Sequence, residues 1–351
     1  MAKYPGYDMH LIMNPSEVCN FDCSYCGQHT NDLSMTHRID IDRFMDRLEK
    51  AGKTFLITVS GGEPFMMPNF VDFAKRVTQK HYLRVDTNLS LTQPLRRFAH
   101  TIDPAKVVEI SFSTHIQERE KSKIDIMGLV NLVKEFQAKG FKIYGNYVAH
   151  PALLGRLEND INFFASHGIT VLPTLFQGYY KGKLYSLDRA STAYSSGELE
   201  LIGRLNPLAL LILESTYRKP CQAGCTTFWM DENYEISPCF MMRKTVKLGT
   251  FYGDWGLFPK VIQCPRKVCT DQYNETFCAC LPDMKEGFAY TQQKAIAVYG
   301  VASWLQTNLL MASTWPRSIF SKMRRVTAKL RRLKWSKGRL IDPATWHRSC
   351  S

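Results

Sequence analysis

From about Asp8 to about Phe176, short runs of β-branched and aromatic residues alternate with longer stretches whose apolar positions recur at the helical period. The runs His10–Met13, Phe55–Val59, Tyr82–Val85, Val107–Phe112, Lys142–Val148 and Ile169–Leu172 predict six strands. Between them, Ile41, Phe44, Met45 and Leu48 follow the 3.6-residue period behind Asp40, a side chain suited to capping a helix N-terminus. Further helices are predicted over Asn69–Gln79, Ile126–Lys139 and Leu157–Ser166. Alternation of this kind is expected of a parallel βα architecture, and periodicity by itself does not separate an open doubly wound sheet from a barrel.

Beyond the last strand the pattern changes. Residues Gln177 to Ala193 read as a loop or hairpin leaving the barrel mouth, either a cover for substrate or an ordinary surface loop. Ala295 to Pro316 carries no charge but too many polar residues for a membrane span, which predicts a packed helix. After it, Ile319, Met323, Val326, Leu330 and Leu333 recur at spacings of four and three among Lys and Arg, giving a strongly basic amphipathic helix flanked by Trp315 and Trp335. The formal net charge of +13 is concentrated here: thirteen Lys or Arg stand against Glu286 and Asp342 from Lys285 onward, so the rest of the chain is nearly neutral. Such a helix suits an anionic membrane surface or docking on the body of the protein; sparse aromatic interleaving disfavours nucleic acid.

Composition adds eleven cysteines to this picture, and the segment Met1–Asp8 lacks the apolar core of a signal peptide. Both features point to reduced thiols in the cytoplasm, with secreted disulfides the minority reading. Cys19, Cys23 and Cys26 form CxxxCxxC, with no further cysteine until Cys221. Three thiolates in one tight loop can ligate three irons of a four-iron cluster and leave the fourth open to bind a small molecule. Zinc completed by His29 or His37 is the rival.

With Tyr25 before the last cysteine, this segment resembles the signature of the radical S-adenosylmethionine enzymes. The resemblance implies a partial (β/α)6 TIM-type barrel, with a [4Fe-4S] cluster in the loop after the first strand. That place agrees with the rule that barrel sites lie at the C-terminal ends of strands. It also implies that S-adenosylmethionine chelates the open iron and is reductively cleaved to a 5′-deoxyadenosyl radical, which abstracts hydrogen from substrate. After the second strand, Gly61-Gly62-Glu63-Pro64 matches the motif that in this family grips the amino group of the cofactor. Glycines there permit close backbone approach, and a carboxylate can accept from an ammonium. By the same resemblance Thr87, Asn88, Ser111 and Ser113 are candidates for the cofactor's ribose and carboxylate, with Val148 and the backbone near Leu172 weaker candidates for adenine. Strand alternation places Ser111, Ser113 and His115 on one face with Glu109 upstream, so Glu109 and His115 either reach substrate or form ordinary polar contacts.

Cysteine returns at Cys221, Cys225, Cys239, Cys264, Cys269, Cys278 and Cys280, a density that points to metal. The order Cys221, Ala223-Gly224, Phe228–Ile236, Pro238-Cys239, Leu248-Gly249 is similar to the SPASM extension of radical S-adenosylmethionine enzymes, in which a β-hairpin lies between the cysteines. Asn233-Tyr234 stands where the family has a glycine turn, and asparagine tolerates the left-handed conformation. The resemblance implies a first auxiliary cluster on Cys221, Cys225, Cys239 and Cys280, and a second on Cys264, Cys269 and Cys278. The spacings of the second depart from the family's, and the only cysteine left for its fourth ligand is Cys350. One or two auxiliary iron-sulfur clusters are therefore expected, with a zinc site on Cys264, Cys269, Cys278 and Cys280 as the alternative.

These readings divide the chain into a barrel over residues 1–200, a cysteine-rich auxiliary domain over 201–284 and a basic helical extension over 285–351. The activity expected is radical modification of a peptide or protein side chain, fed by an external flavodoxin- or ferredoxin-type electron donor. Modification of a sugar or lipid-linked glycan is the second expectation, and a noncatalytic zinc- and nucleic-acid-binding protein the third. The expected place is the cytoplasm, with peripheral contact at the inner face of the membrane through the basic helix.

Overall fold

The computed structural model describes residues 6–26, 30–188, 190–206, 209 and 220–264. The basic helix and Cys269, Cys278, Cys280 and Cys350 lie outside the described residues.

Strands and helices alternate as β1 Met9–Met13, α1 Ile41–Ala51, β2 Phe55–Val59, α2 Phe70–Val77, β3 Tyr82–Thr87, α3 Thr92–Thr101, β4 Val107–Ser113, α4 Ile116–Lys121, α5 Ile126–Ala138, β5 Ile143–Ala149, α6 Leu157–Ser166 and β6 Val171–Leu175. There follow the hairpin β7 Gly178–Tyr180 and β8 Lys183–Tyr185, then α7 Ser196–Leu205 and the short strands β9 Pro220–Cys221, β10 Thr227–Met230, β11 Glu235–Ser237, β12 Gly249–Thr250 and β13 Ile262–Gln263. Strands β1 to β6 are parallel neighbours in chain order, so the fold is α/β with a largely parallel sheet, the partial barrel expected. At the β1 edge the sheet continues through β10, which runs parallel to β1, and then through antiparallel β11 and β12.

The two faces of the sheet differ in chemistry. Leu11, Met13, Ile57, Val59, Leu83, Val85, Ile110 and Phe112 join the apolar faces of the helices in one core. Rings interlock there: Phe65 meets Phe70 edge-on at 4.8 Å, and Phe98 lies 5.5 Å from Phe65. Many of the alternate positions are polar although buried, among them His10, Thr58, Arg84, Glu109 and Ser111. His10 Nε2 lies 2.8 Å from Thr58 Oγ1, and Arg84 Nε donates to Glu109 Oε1 at 2.7 Å. Arg84 also pairs with Asp86 at 2.9 Å. Buried charges persist only when paired, so this face is built from mutual partners.

β2 has the ends expected and the other strands depart from expectation by up to three residues at one or both ends, while Asp40 caps α1, its Oδ1 accepting from Arg43 N at 3.1 Å. The hairpin β7–β8 turns through Lys181 and Gly182 at φ 46° and 74°, the left-handed pair that a two-residue hairpin loop requires. The turn between β10 and β11 places Tyr234, not Asn233, in the left-handed region, at φ 61°.

Candidate functional site at the strand ends

The loop between β1 and α1 carries Cys19, Cys23 and Cys26, and the turn after β2 holds it in place. Gly62 N donates to Ser16 O and Glu63 N to Val18 O, both at 2.8 Å. A Cβ at Gly62 would stand 2.1 Å from Val18 O, and one at Gly61 would stand 1.6 Å from Asn14 Oδ1. Gly61 also has φ 116°, which disfavours any side chain. The close approach expected of these glycines is thus made to the cysteine loop itself.

Glu63 is only 1% exposed, and its carboxylate is spent on the chain's own donors. Oε1 accepts from Thr87 Oγ1 at 2.8 Å and Phe65 N at 3.1 Å, and Oε2 accepts from Asn88 N at 2.6 Å. Burial raises its pKa to about 7 against these donors. Thr87 and Asn88 are likewise engaged: Asn88 Nδ2 donates to Asn20 Oδ1 at 2.9 Å and approaches Cys19 Sγ at 3.8 Å. The three residues therefore tie the end of β3 to the cysteine loop. Ser111 Oγ accepts from Asn146 Nδ2 at 2.5 Å, while Ser113 is half-buried at the end of β4. Val148 and Leu172 sit on the neighbouring strands β5 and β6. Glu109 lies deep in the polar face beside Arg84, and burial pushes its carboxyl up to about 7.

The cysteines face polar neighbours. Cys23 is 6% exposed, with Sγ 3.2 Å from His115 Nδ1, and the Tyr25 hydroxyl is 2.9 Å from the same nitrogen. Burial raises the Cys19 thiol and pushes Cys23 up to about 12, while Cys26 acts electrostatically on both. A metal ion reverses that preference, because a coordinating thiol is deprotonated. Tyr25 packs among His150 and Phe176, with ring centroids 6.0 and 6.3 Å away. Tyr180 of the β7–β8 hairpin closes on His150 at 4.8 Å.

Three soft thiols in one loop, held within electrostatic reach of one another, are a donor set that fits an iron-sulfur cluster. Among the described residues no three His, Cys, Asp or Glu side chains are already closed around one point in metal-holding geometry. Asn14 Oδ1 is a buried acceptor with no hydrogen-bond partner, placed against Gly61 where a cofactor amino group is expected.

Two participants escaped the sequence reading. Arg119 on α4 is 2% exposed, and its guanidinium donates to the carbonyls of Thr114, at 2.9 Å, and Asn88, with the Phe21 ring 5.5 Å away. Burial lowers its pKa to about 10, opposed by Glu63 and Cys23. Asn14, the residue after β1, is the other. Asn14 had one advance signal, its place just after a strand's C-terminal end, and Arg119 had only its place on the helix after β4.

The second cysteine set is arranged differently. Cys221, Ala223, Cys239 and Met242 pack together, with Met241, Val246 and Cys264 against them. β9 pairs with β13, Cys221 opposite Ile262, so Cys264 stands beside Cys221 and Cys239. Cys225 is disulfide-bonded in this structure.

Comparison with known proteins places this geometry. No curated protein matches the chain in sequence. Among solved structures, Streptococcus suis SuiB bound to S-adenosylmethionine is 18% identical with a TM-score of 0.48, over 72% of this chain and 62% of SuiB. The chain thus spans less than two thirds of the SuiB length. Native anSMEcpe with bound AdoMet is 14% identical with a TM-score of 0.54, over 92% of this chain and 99% of anSMEcpe. The complex of anSMEcpe with AdoMet and the Kp18Cys peptide is similar at 14% identity and a TM-score of 0.51, over 70% and 78% of the two chains. The likeness to anSMEcpe shows a shared fold. The family model of the Radical SAM superfamily matches residues 13–163, from the end of β1 into α6, the segment that carries the cysteine loop and Gly61-Gly62-Glu63-Pro64.

Proposed function

We propose that the chain is an enzyme that reductively cleaves S-adenosylmethionine and uses the resulting radical to take hydrogen from a peptide or protein side chain. The observation that carries the reading is the cysteine loop seated on Gly61-Gly62-Glu63 at the C-terminal ends of a parallel sheet. Cys19, Cys23 and Cys26 would hold a [4Fe-4S] cluster with one open iron, which supplies the low-potential electron and the binding position for S-adenosylmethionine. Around that centre the chain's own groups fix the loop: Asn88 and His115 approach the sulfurs of Cys19 and Cys23, and Glu63 locks the β2 and β3 ends together. Backbone at Gly61 and the acceptor of Asn14 would orient the cofactor's amino group, and Ser113 with Tyr25 would border the rest of it.

A peptide substrate is supported by the hairpin at the mouth, which exposes Tyr179 and Leu184, cross-strand partners, beside Tyr180 and His150. anSMEcpe, which shares the fold, is recorded with a bound peptide. An external flavodoxin- or ferredoxin-type donor would supply the electron, and, with Cys225 reduced, Cys221, Cys225 and Cys239 would belong to a first auxiliary centre whose expected fourth ligand, Cys280, lies outside the described residues. A cytoplasmic place fits the reduced cluster. Among the described residues no helix is long and apolar enough to cross a membrane.

Anaerobic reconstitution followed by iron and sulfide analysis tests the reading. Release of 5′-deoxyadenosine on reduction with S-adenosylmethionine is the expected result; bound zinc with no acid-labile sulfide would overturn it in favour of a noncatalytic metal protein.

A further inference from the structure

His115 stands where the chain leaves β4 and immediately begins α4, and it does so with φ 44° and ψ 47°. Non-glycine residues rarely occupy that left-handed region, and where they do the strain commonly serves a site. His115 stands at the N-cap position of α4, but its side chain makes no capping hydrogen bond to the helix. The turn delivers the imidazole to the cysteine loop instead. Tyr25 stacks on it with centroids 6.2 Å apart and planes 19° apart, and Phe21 meets it edge-on at 5.6 Å. Both rings come from the loop that carries the cysteines, so the loop is wrapped around this one side chain.

The polar contacts of the imidazole are equally specific. Nδ1 lies 3.2 Å from Cys23 Sγ and 2.9 Å from the Tyr25 hydroxyl, which itself hydrogen-bonds the Cys23 sulfur. A metal-bound thiolate can only accept, so in the loaded protein Nδ1 carries the hydrogen and donates it toward the sulfur. Hydrogen bonds to ligating sulfurs stabilise the more negative, reduced state of a cluster and thereby raise its potential. Cys19 has the counterpart contact from Asn88, the residue after β3, longer at 3.8 Å.

We propose that His115 is a positioning residue for the iron-sulfur centre, clamping Cys23 and Tyr25 in place and raising the centre's reduction potential through a hydrogen bond to the Cys23 sulfur. This rests on the cluster reading given above.

The test uses full-length protein, reconstituted anaerobically, as wild type, His115→Asn, His115→Gly and His115→Gln. Asparagine and glycine accept the left-handed backbone but cannot reach the sulfur as imidazole does, and glutamine restores a long donor. Iron, sulfide and circular dichroism establish loading and fold, and a redox titration followed by electron paramagnetic resonance reads the potential. A negative shift in His115→Asn at wild-type iron content, with an altered resonance of the reduced cluster and partial recovery in His115→Gln, is expected. Should the asparagine variant fail to fold, the same shift is read in His115→Gly. An unchanged potential and resonance in a loaded variant would overturn the proposal and leave the cluster reading intact, whereas a wild type without labile sulfide would overturn both.

Discussion

Polar side chains from two different strand ends lie beside the sulfurs of Cys19 and Cys23, whereas Cys221, whose sulfur accepts from Ala223 N at 3.5 Å, packs with Cys239 and Cys264 among Ala223, Met241, Met242 and Val246. The same side chain therefore meets two kinds of surroundings in one body. The second region is fastened to the first through α1: Arg47 donates to the carbonyls of Phe251 and Gly253 at 2.7 and 2.8 Å, and Phe44 stacks on Phe251 at 4.8 Å. Polar surroundings allow the protein to adjust the electronics of a ligand sulfur, and apolar packing shields a centre from solvent, the two levers by which a chain sets cluster potential. On the function proposed above, the difference would put tuned chemistry in the first region and a more sheltered centre in the second.

The comparison breaks most sharply at single cysteines. Cys23→Ala is expected to lose the cluster at the strand ends, about four irons per chain, and with it release of 5′-deoxyadenosine down to background. Cys239→Ala is expected to lower iron content as well but to retain a measurable fraction of that release. Equal loss in both variants, measured on folded protein, would mean that the two regions form one functional centre.

Gly62→Ala attacks the seat of the first loop without touching a ligand. Its new methyl would meet the Val18 carbonyl oxygen at 2.1 Å and the Glu17 carbonyl carbon at 2.7 Å, backbone atoms that cannot swing aside. Overpacking of this kind costs about 1–3 kcal/mol, and iron uptake at the first site should fall with it. The matching control is Gly155→Ala, where a Cβ meets nothing within 4 Å and neither denaturation midpoint nor iron content should move.

That steric lock also shows where sequence reading stops. Continuous local patterns were legible, so β2 at Phe55–Val59 and α6 at Leu157–Ser166 appear with their expected ends. α3 escaped because Pro94 sits in its first turn, where proline is tolerated but looks like a break. α7 had a readable signal in Ser195 and Glu198, which form a capping box. The parallel pairing of β10 with β1 has no local signature, since the partners are joined only by the tertiary fold. At the candidate site, the chemistry of CxxxCxxC and of Gly61-Gly62-Glu63-Pro64 was legible as residue types. The direction of the Glu63 carboxylate was not, because Thr87, Asn88 and Phe65 claim it only once β2 and β3 lie side by side.

The polar face beneath the mouth predicts a pH effect. Folding raises the Glu109 carboxyl from 4.5 to about 7 through burial, although Arg84 favours the charged form. The folded chain thus holds this proton more tightly than the unfolded chain. The associated stability is fully present below about pH 4.5 and is lost as pH rises through about 7, by up to about 3 kcal/mol. Buried His10, lowered to about 3, works in the opposite sense below its ordinary 6.5, so the informative quantity is a difference. Subtracting the Glu109→Gln stability profile from that of wild type should leave a fall between pH 5 and 7; parallel profiles would show that Arg84 keeps Glu109 ionised throughout.

The smallest expected effect lies at the hairpin. Tyr179 is 75% exposed, and Leu184 opposite it is 36% exposed, so neither contributes much to the core. Tyr179→Ser removes an aromatic surface that a peptide could cover, worth about 0.5–1.5 kcal/mol in a ring-to-ring contact, or a weakening of roughly two- to twelvefold. Fold stability should stay within about 0.5 kcal/mol, as for other exposed positions. Peptide affinity measured against Tyr179→Ser and against a variant at an exposed apolar position outside the hairpin, such as Met127→Ser, separates a substrate-facing hairpin from a plain surface loop. A drop confined to Tyr179→Ser ties the hairpin to the same mouth that holds Cys19, Cys23 and Cys26, because Tyr180 already joins it to His150 and through His150 to Tyr25.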